Sequence, residues 1–216
     1  MKIFVLATNL LGYKILSFLL SKNENILGVG LIKKNPKNDI IIKNLKKNKI
    51  KYYYLTKNIN KLFLKKILDM KLDFILSVSW PYILNKNFYS LSQFGTLNFH
   101  LSFLPFNRGK NPNVWPIVEK TPAGVTIHLV NNKIDDGDII YQEKIKIDYI
   151  DTAKTLYQKL NLSLIKLFKK NWINIKKHNY KKIKNIKKLG TFHMSSDFKK
   201  IEKINLNKKI YPMDLI

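Results

Sequence analysis

The stretch NFHLSFLPFNRGKNPNVW, residues 98–115, sets an amide and an imidazole two positions apart, follows them with a proline turn, and then supplies the one arginine among 40 basic residues. At this spacing Asn98 and His100 share one face of an extended strand. An amide N–H holds a developing oxyanion, and an imidazole that titrates near neutrality moves a proton, so the pair suits reaction at a carbonyl carbon. A capped strand end with a satisfied histidine accounts for the pair equally well, and on these residues alone both readings stay open. An acidic partner has three candidates, Asp135, Asp136 and Asp138, in the turn IDDGDII at 134–140. An ordinary solvated Asp-Gly turn is the alternative there. The calcium-loop pattern is missing and no His–Cys set stands nearby, so no metal is expected. Arg108 stands in a chain that supplies Lys almost everywhere a cation suffices. It suggests a place that needs a planar, bidentate fork, with chance as the alternative.

The elements that must position these groups follow from hydrophobic periodicity. KIFVLAT (2–8), NILGVGLI (25–32), KYYYLT (51–56) and DFILSVS (73–79) read as strands. Between them lie helical patterns at 10–22, 40–50 and 59–71, the last strongly amphipathic. Strand and helix alternate, which predicts a Rossmann-like α/β fold: a mostly parallel sheet with helices on both faces. GTLNFHLS (95–102) is a fifth strand, so Asn98 and His100 fall near its carboxyl end, where open parallel sheets bind ligands. NPNVWPIVEK (111–120) predicts a short helix. AGVTIHLV (123–130) and IIYQEKIKI (139–147) alternate as an added antiparallel pair, and 151–172 is a long helix capped by Asp151 or Thr152. His128 reads as a packed strand histidine, with lining the site as the alternative. The Lys- and Asn-rich stretch 173–188 reads as a linker or edge element, and 190–204 as a small last element. The division is a catalytic domain over 1–177 and a short C-terminal appendage over 178–216.

Composition narrows the class. The chain has 216 residues, 45% of them hydrophobic, enough for one good core. No run of about eighteen apolar residues occurs, so no membrane span is expected. There is no cysteine, hence no disulfide framework and no thiolate chemistry, which suits the cytoplasm. The net charge of +26 fits either a polyanion partner or a drift toward Lys, Asn and Ile over the whole chain. The lysines are dispersed and the aromatics form no stacking platform between them, which favours drift over nucleic acid. The first strand–helix turn, ATNLLG, is neither a dinucleotide fingerprint nor a P-loop.

Asn98-Phe99-His100, Leu104-Pro105, GVTIH and Ile134-Asp135-Asp136-Gly137 together resemble the formyltransferases that use N10-formyltetrahydrofolate. The resemblance runs over roughly residues 1–150. It implies a catalytic triad of Asn98, His100 and Asp135, the last chosen because it follows Ile134 and precedes x-Gly-Asp. It implies that N10-formyltetrahydrofolate is the co-substrate, with its pterin beside Ser79, Trp80, Tyr82 and Ile83 in the loop SVSWPYIL. RGKNPNVWPIVEK and GTFHMSSDFKKI are similar to the sugar N-formyltransferases, which act on nucleotide-linked amino-dideoxysugars. That similarity implies a nucleotide-sugar substrate met by Arg108, Lys110, Asn111 and Trp115, a role in glycan biosynthesis, and a homodimer. Methionyl-tRNA formylation, glycinamide ribonucleotide formylation and a non-catalytic relative of the fold are the alternatives.

Overall fold

The computed structural model describes residues 1–33, 35–36 and 38–201. Strand β1 (Lys2–Ala7) leads into helix α1 (Asn9–Ser21), β2 (Asn25–Ile32), α2 (Asn38–Lys47), β3 (Tyr52–Leu55), α3 (Lys61–Asp69) and β4 (Phe74–Val78). A four-residue helix α4 (Lys86–Tyr89), not anticipated from the sequence, precedes β5 (Thr96–His100). Then come a two-residue strand β6 (Arg108–Gly109), a short helix α5 (Trp115–Val118), β7 (Ala123–Leu129), β8 (Ile139–Ile145) and the long helix α6 (Ala153–Lys176). A 3-10 turn (Lys187–Leu189), β9 (Phe192–His193) and α7 (Ser195–Ile201) follow. Residues 202–216 of the expected appendage, including the last three residues of the element expected to run on to 204, lie outside the described residues.

The main sheet has the order β3-β2-β1-β4-β5-β7-β8. The first five strands are parallel and β7 and β8 are antiparallel additions. The order in which successive strands are added reverses between β1 and β4, and such a switch point opens a crevice at the carboxyl ends of the strands. The two strand ends are tied together there: Thr8 N–H donates to the Val78 carbonyl at 3.3 Å, and the Thr8 hydroxyl donates to the Ser79 carbonyl.

Strand alternation sends the odd residues of β1, Ile3, Val5 and Ala7, to one core and the even residues, Phe4 and Leu6, to another. The first core is covered by α1, α2 and α6, the second by α3 and α4. Helices thus flank both faces, as the apolar strands require. In α6 the buried stripe Leu156, Leu160, Leu164, Leu167, Phe168, Trp172 and Ile175 keeps helical spacing to the end. Thr152 caps it, its hydroxyl accepting the Thr155 N–H at 3.2 Å. The sequence reading stopped this helix at 172; it continues to Lys176 because Ile175 is buried and Glu24 holds both Trp172 Nε1 and Lys176 Nζ at 2.9 Å. Among the described residues no helix is long and apolar enough to cross a membrane.

Of the two readings of 173–188, linker or edge element, the edge element is the one found, as part of a strap. Ile183 and Ile139 exchange both backbone hydrogen bonds at 2.8 Å, and β9 pairs in parallel with β6. The strap therefore crosses the loops that leave β5 and enter β8, which carry the residues of interest.

Candidate active site

Parallel pairing of β4 with β5 sets Ser77 beside Asn98, and antiparallel pairing of β5 with β7 sets Asn98 opposite His128 and His100 opposite Thr126. Leu97 and Phe99 face the core on the other side, as period two demands. The turn between β7 and β8 then returns Asp135 to the end of β5. Its path is tight: a Cβ on Gly137 would lie 1.7 Å from the Leu129 carbonyl oxygen, so only glycine passes there. Asp135 itself has φ 47°, in the left-handed region.

Four polar side chains meet as a result. His100 Nδ1 lies 3.6 Å from Asp135 Oδ2, and Asn98 Nδ2 donates to Asp135 Oδ1 at 3.3 Å. His128 Nε2 is 3.1 Å from Asn98 Nδ2 and 3.5 Å from Asp135 Oδ1. The His128 tautomer follows from its partners: Nδ1 sits 2.8 Å from the Leu129 carbonyl and must donate, leaving Nε2 to accept from the Asn98 amide. Gly109 N–H donates to Asp135 Oδ2 at 2.9 Å, and Asn185 Nδ2 on the strap donates to the Asp135 carbonyl at 3.0 Å.

Burial pulls the His100 imidazole below the ordinary histidine value, and the Asp135 carboxylate opposes that shift without cancelling it. The imidazole is therefore neutral near neutral pH and able to take a proton. Burial by itself would raise the Asp135 carboxyl. The His100 ring, the His128 contacts and the Gly109 N–H outweigh burial and hold it well below the usual carboxylate range. The site is thus an ionised carboxylate beside a neutral base, with an amide donor next to both.

These residues line a cavity of about 690 Å³. Ser79, Trp80, Tyr82 and Ile83 line it as well, with Ser79 at φ 53° and the Trp80 and Tyr82 rings edge to face at 5.8 Å. Lys110 and Asn111 line it from the loop after β6, and Lys110 Nζ lies 3.5 Å from the Pro81 carbonyl. Two expected substrate contacts are not in this wall. Arg108 is turned away, its Nη1 3.7 Å from Asp136 Oδ1 and its guanidinium over the Phe192 ring at 5.7 Å. Trp115 is buried, donates through Nε1 to the Lys110 carbonyl at 2.7 Å and stacks on His193 at 3.9 Å.

His128 is the residue that sequence reasoning undervalued. Its strand phase, shared with Thr126 and opposite to Val125 and Ile127, was the available signal. What it faces depends on the register between β5 and β7. His193 is buried against Trp115, with Nε2 3.3 Å from Glu119 Oε2 but not aligned for a hydrogen bond. His178 is exposed and packs its ring on Phe94. Asp138 is exposed in the turn. Among the described residues no group of three or more His, Cys, Asp or Glu is arranged to hold a metal ion.

The chain as a whole is similar to known proteins. The formyl transferase family model matches residues 17–169. The chain is 36% identical over 167 residues to the bifunctional polymyxin resistance protein ArnA of Wigglesworthia glossinidia brevipalpis, covering 74% of this chain and 25% of that protein. It is 33% identical over 130 residues to the methionyl-tRNA formyltransferase of Bacillus velezensis, covering 60% of this chain and 41% of that one. The chain thus spans a quarter to about two fifths of these curated relatives. Among solved structures it resembles the formyltransferase PseJ of Anoxybacillus kamchatkensis, in complex with UDP-4,6-dideoxy-4-formamido-L-AltNAc and tetrahydrofolate. That match has 26% identity and a TM-score of 0.71, and covers 100% of this chain and 98% of PseJ.

Proposed function

Because the chain belongs to the formyl transferase family, we propose that it moves a formyl group from N10-formyltetrahydrofolate to the amine of a nucleotide-linked 4-amino-4,6-dideoxysugar. The substrate is of the dTDP-4-amino-4,6-dideoxyglucose type. The observation that carries this reading is the convergence of Asn98, His100 and Asp135 on one cavity. PseJ, which matches along its whole length and holds a 4-formamido sugar nucleotide with tetrahydrofolate, supports the substrate class.

The residues present fit a reduced folate. A cavity of about 690 Å³ lies in the range for ligands of that size. Ser79, Trp80, Tyr82 and Ile83 bring aromatic surface and loop backbone to it, suited to a flat heterocycle with polar edges. The folate supplies an activated formyl group, and the chain supplies placement and proton handling. One Asn98 Nδ2–H, now shared between His128 and Asp135, turns to the formyl oxygen as negative charge develops there. His100, neutral because it is buried, takes the proton that the attacking amine sheds and gives one up to the donor nitrogen as its bond to the formyl carbon breaks, which returns the ring to its starting state. Asp135 stays ionised and stabilises the imidazolium. Lys110 and Asn111 meet the nucleotide-sugar, whose diphosphate is drawn in by the net charge of +26. A homodimer belongs to the same proposal.

The test is an assay of the purified chain with N10-formyltetrahydrofolate, dTDP- and UDP-linked amino sugars, and charged initiator tRNA. Formamido-sugar product is expected. Formyl-methionyl-tRNA with no turnover of any sugar would instead favour the tRNA reading, which the methionyl-tRNA formyltransferase relative motivates.

A further inference from the structure

We propose that Thr191, on the C-terminal strap, is a positioning residue that acts through Asn107 to keep the His100 ring proton on Nε2 and to leave Nδ1 as the basic nitrogen beside Asp135. This rests on the role proposed for His100 and adds the device that sets its tautomer.

Asn107 is fully buried and has φ 56°. Its N–H donates to Thr191 Oγ1 at 2.9 Å, and the Thr191 hydroxyl donates back to Asn107 Oδ1 at 3.0 Å. Its Nδ2 donates to Thr121 Oγ1 at 2.9 Å. Next to it, Arg108 N–H donates to the Thr191 carbonyl at 3.1 Å. Asn107 is therefore gripped at its backbone nitrogen and both side-chain polar atoms. Its remaining polar atom, the backbone carbonyl oxygen, lies 3.2 Å from His100 Nε2.

A carbonyl oxygen only accepts, so it stabilises the tautomer with hydrogen on Nε2. Nδ1 is 3.6 Å from Asp135 Oδ2, beyond ordinary hydrogen-bond length, which fits a nitrogen that carries no hydrogen in the resting ring. When Nδ1 gains the proton the amine loses, both ring N–H groups have acceptors: the Asn107 carbonyl on one side and the Asp135 carboxylate on the other. No other bond changes in that step. The grip comes from 84 positions away in the chain.

The tautomer is read directly by nitrogen-15 NMR of the histidine rings in the full-length protein, without substrate. The proton of neutral His100 is expected on Nε2, and a proton on Nδ1 overturns the proposal. Thr191→Val keeps the side-chain shape and removes both hydroxyl bonds. It should mix the two tautomers and lower kcat roughly tenfold with KM for the sugar nearly unchanged, while Thr191→Ser restores both. An unshifted tautomer in folded Thr191→Val, or failure of Thr191→Ser to restore the ring, also overturns it. If the wild type transfers no formyl group, the proposed function falls, and the ring spectra still judge the Thr191–Asn107 link.

Discussion

Replacing Asp135 by Asn keeps the shape of the side chain and an oxygen to accept the Gly109 N–H, removes the charge facing His100, and puts an amide NH2 where an oxygen accepts from Asn98. The charge acts on Nδ1 across 3.6 Å. Two unit charges at about that distance interact by roughly 4 kcal/mol when the effective dielectric constant is about 20. That is the ceiling on what Asp135 contributes to an imidazolium forming on His100, and it corresponds to about a thousandfold in rate. Single acid–base groups contribute at least about a hundredfold. Turnover in Asp135→Asn should therefore fall between roughly a hundredfold and a thousandfold. Because the charge is felt only as the proton arrives, kcat should fall together with kcat/KM while the KM values stay close to those of the wild type. The assay is steady-state formyl transfer with each substrate varied in turn. A control comes from acid unfolding. The Asp135 carboxyl is depressed in the folded chain, so its stabilising contribution is present above the unfolded carboxylate value and is lost as pH falls through the folded one. The variant should lack that part of the acid sensitivity. Turnover within about threefold of the wild type, in a variant whose acid unfolding has changed as stated, would refute the coupling of Asp135 to His100.

Two further outcomes follow from the same geometry. His100 is lowered by burial, so the folded chain binds fewer protons than the unfolded chain just below the ordinary histidine value. Its contribution to stability is present above that value and is lost as pH falls through the lowered one. Urea midpoints should drop between about pH 7 and pH 5, and less so in His100→Asn; equal drops in the two proteins would contradict the burial argument. Arg108→Lys should leave the sugar KM within about twofold, because the guanidinium pairs with Asp136 outside the cavity wall, and should cost about 1 kcal/mol of stability in denaturant unfolding. A tenfold rise in KM would return the arginine to the substrate.

Much of this molecule is written in local pattern. The alternation of apolar strands with amphipathic helices foretold a sheet flanked on both faces, and the i, i+2 spacing put Asn98 and His100 on one side of β5, as found. The places where reading the chain fell short share a cause. His128 looked like packing because its meaning lies in facing Asn98 across the β5–β7 register. Residues 173–188 could be a linker or an edge element on sequence alone because the partners of Ile183 and Asn185, namely Ile139 and Asp135, are 44 to 50 positions earlier in the chain. Arg108 looked like a substrate fork because composition singled it out, yet the pairing of β6 with β9 turns its neighbour Gly109 toward Asp135 and Arg108 toward Asp136.

The amino-acid order by itself determined which residues could do carbonyl chemistry and which face of their strand they occupy, because period two and period 3.6 are properties of a few consecutive residues. Only the tertiary structure decided which carboxylate reaches the imidazole, that a second histidine joins them, and that the strap holds the loops in place. Those outcomes depend on inter-strand register and on hydrogen bonds spanning up to 84 positions, which no short window of sequence contains.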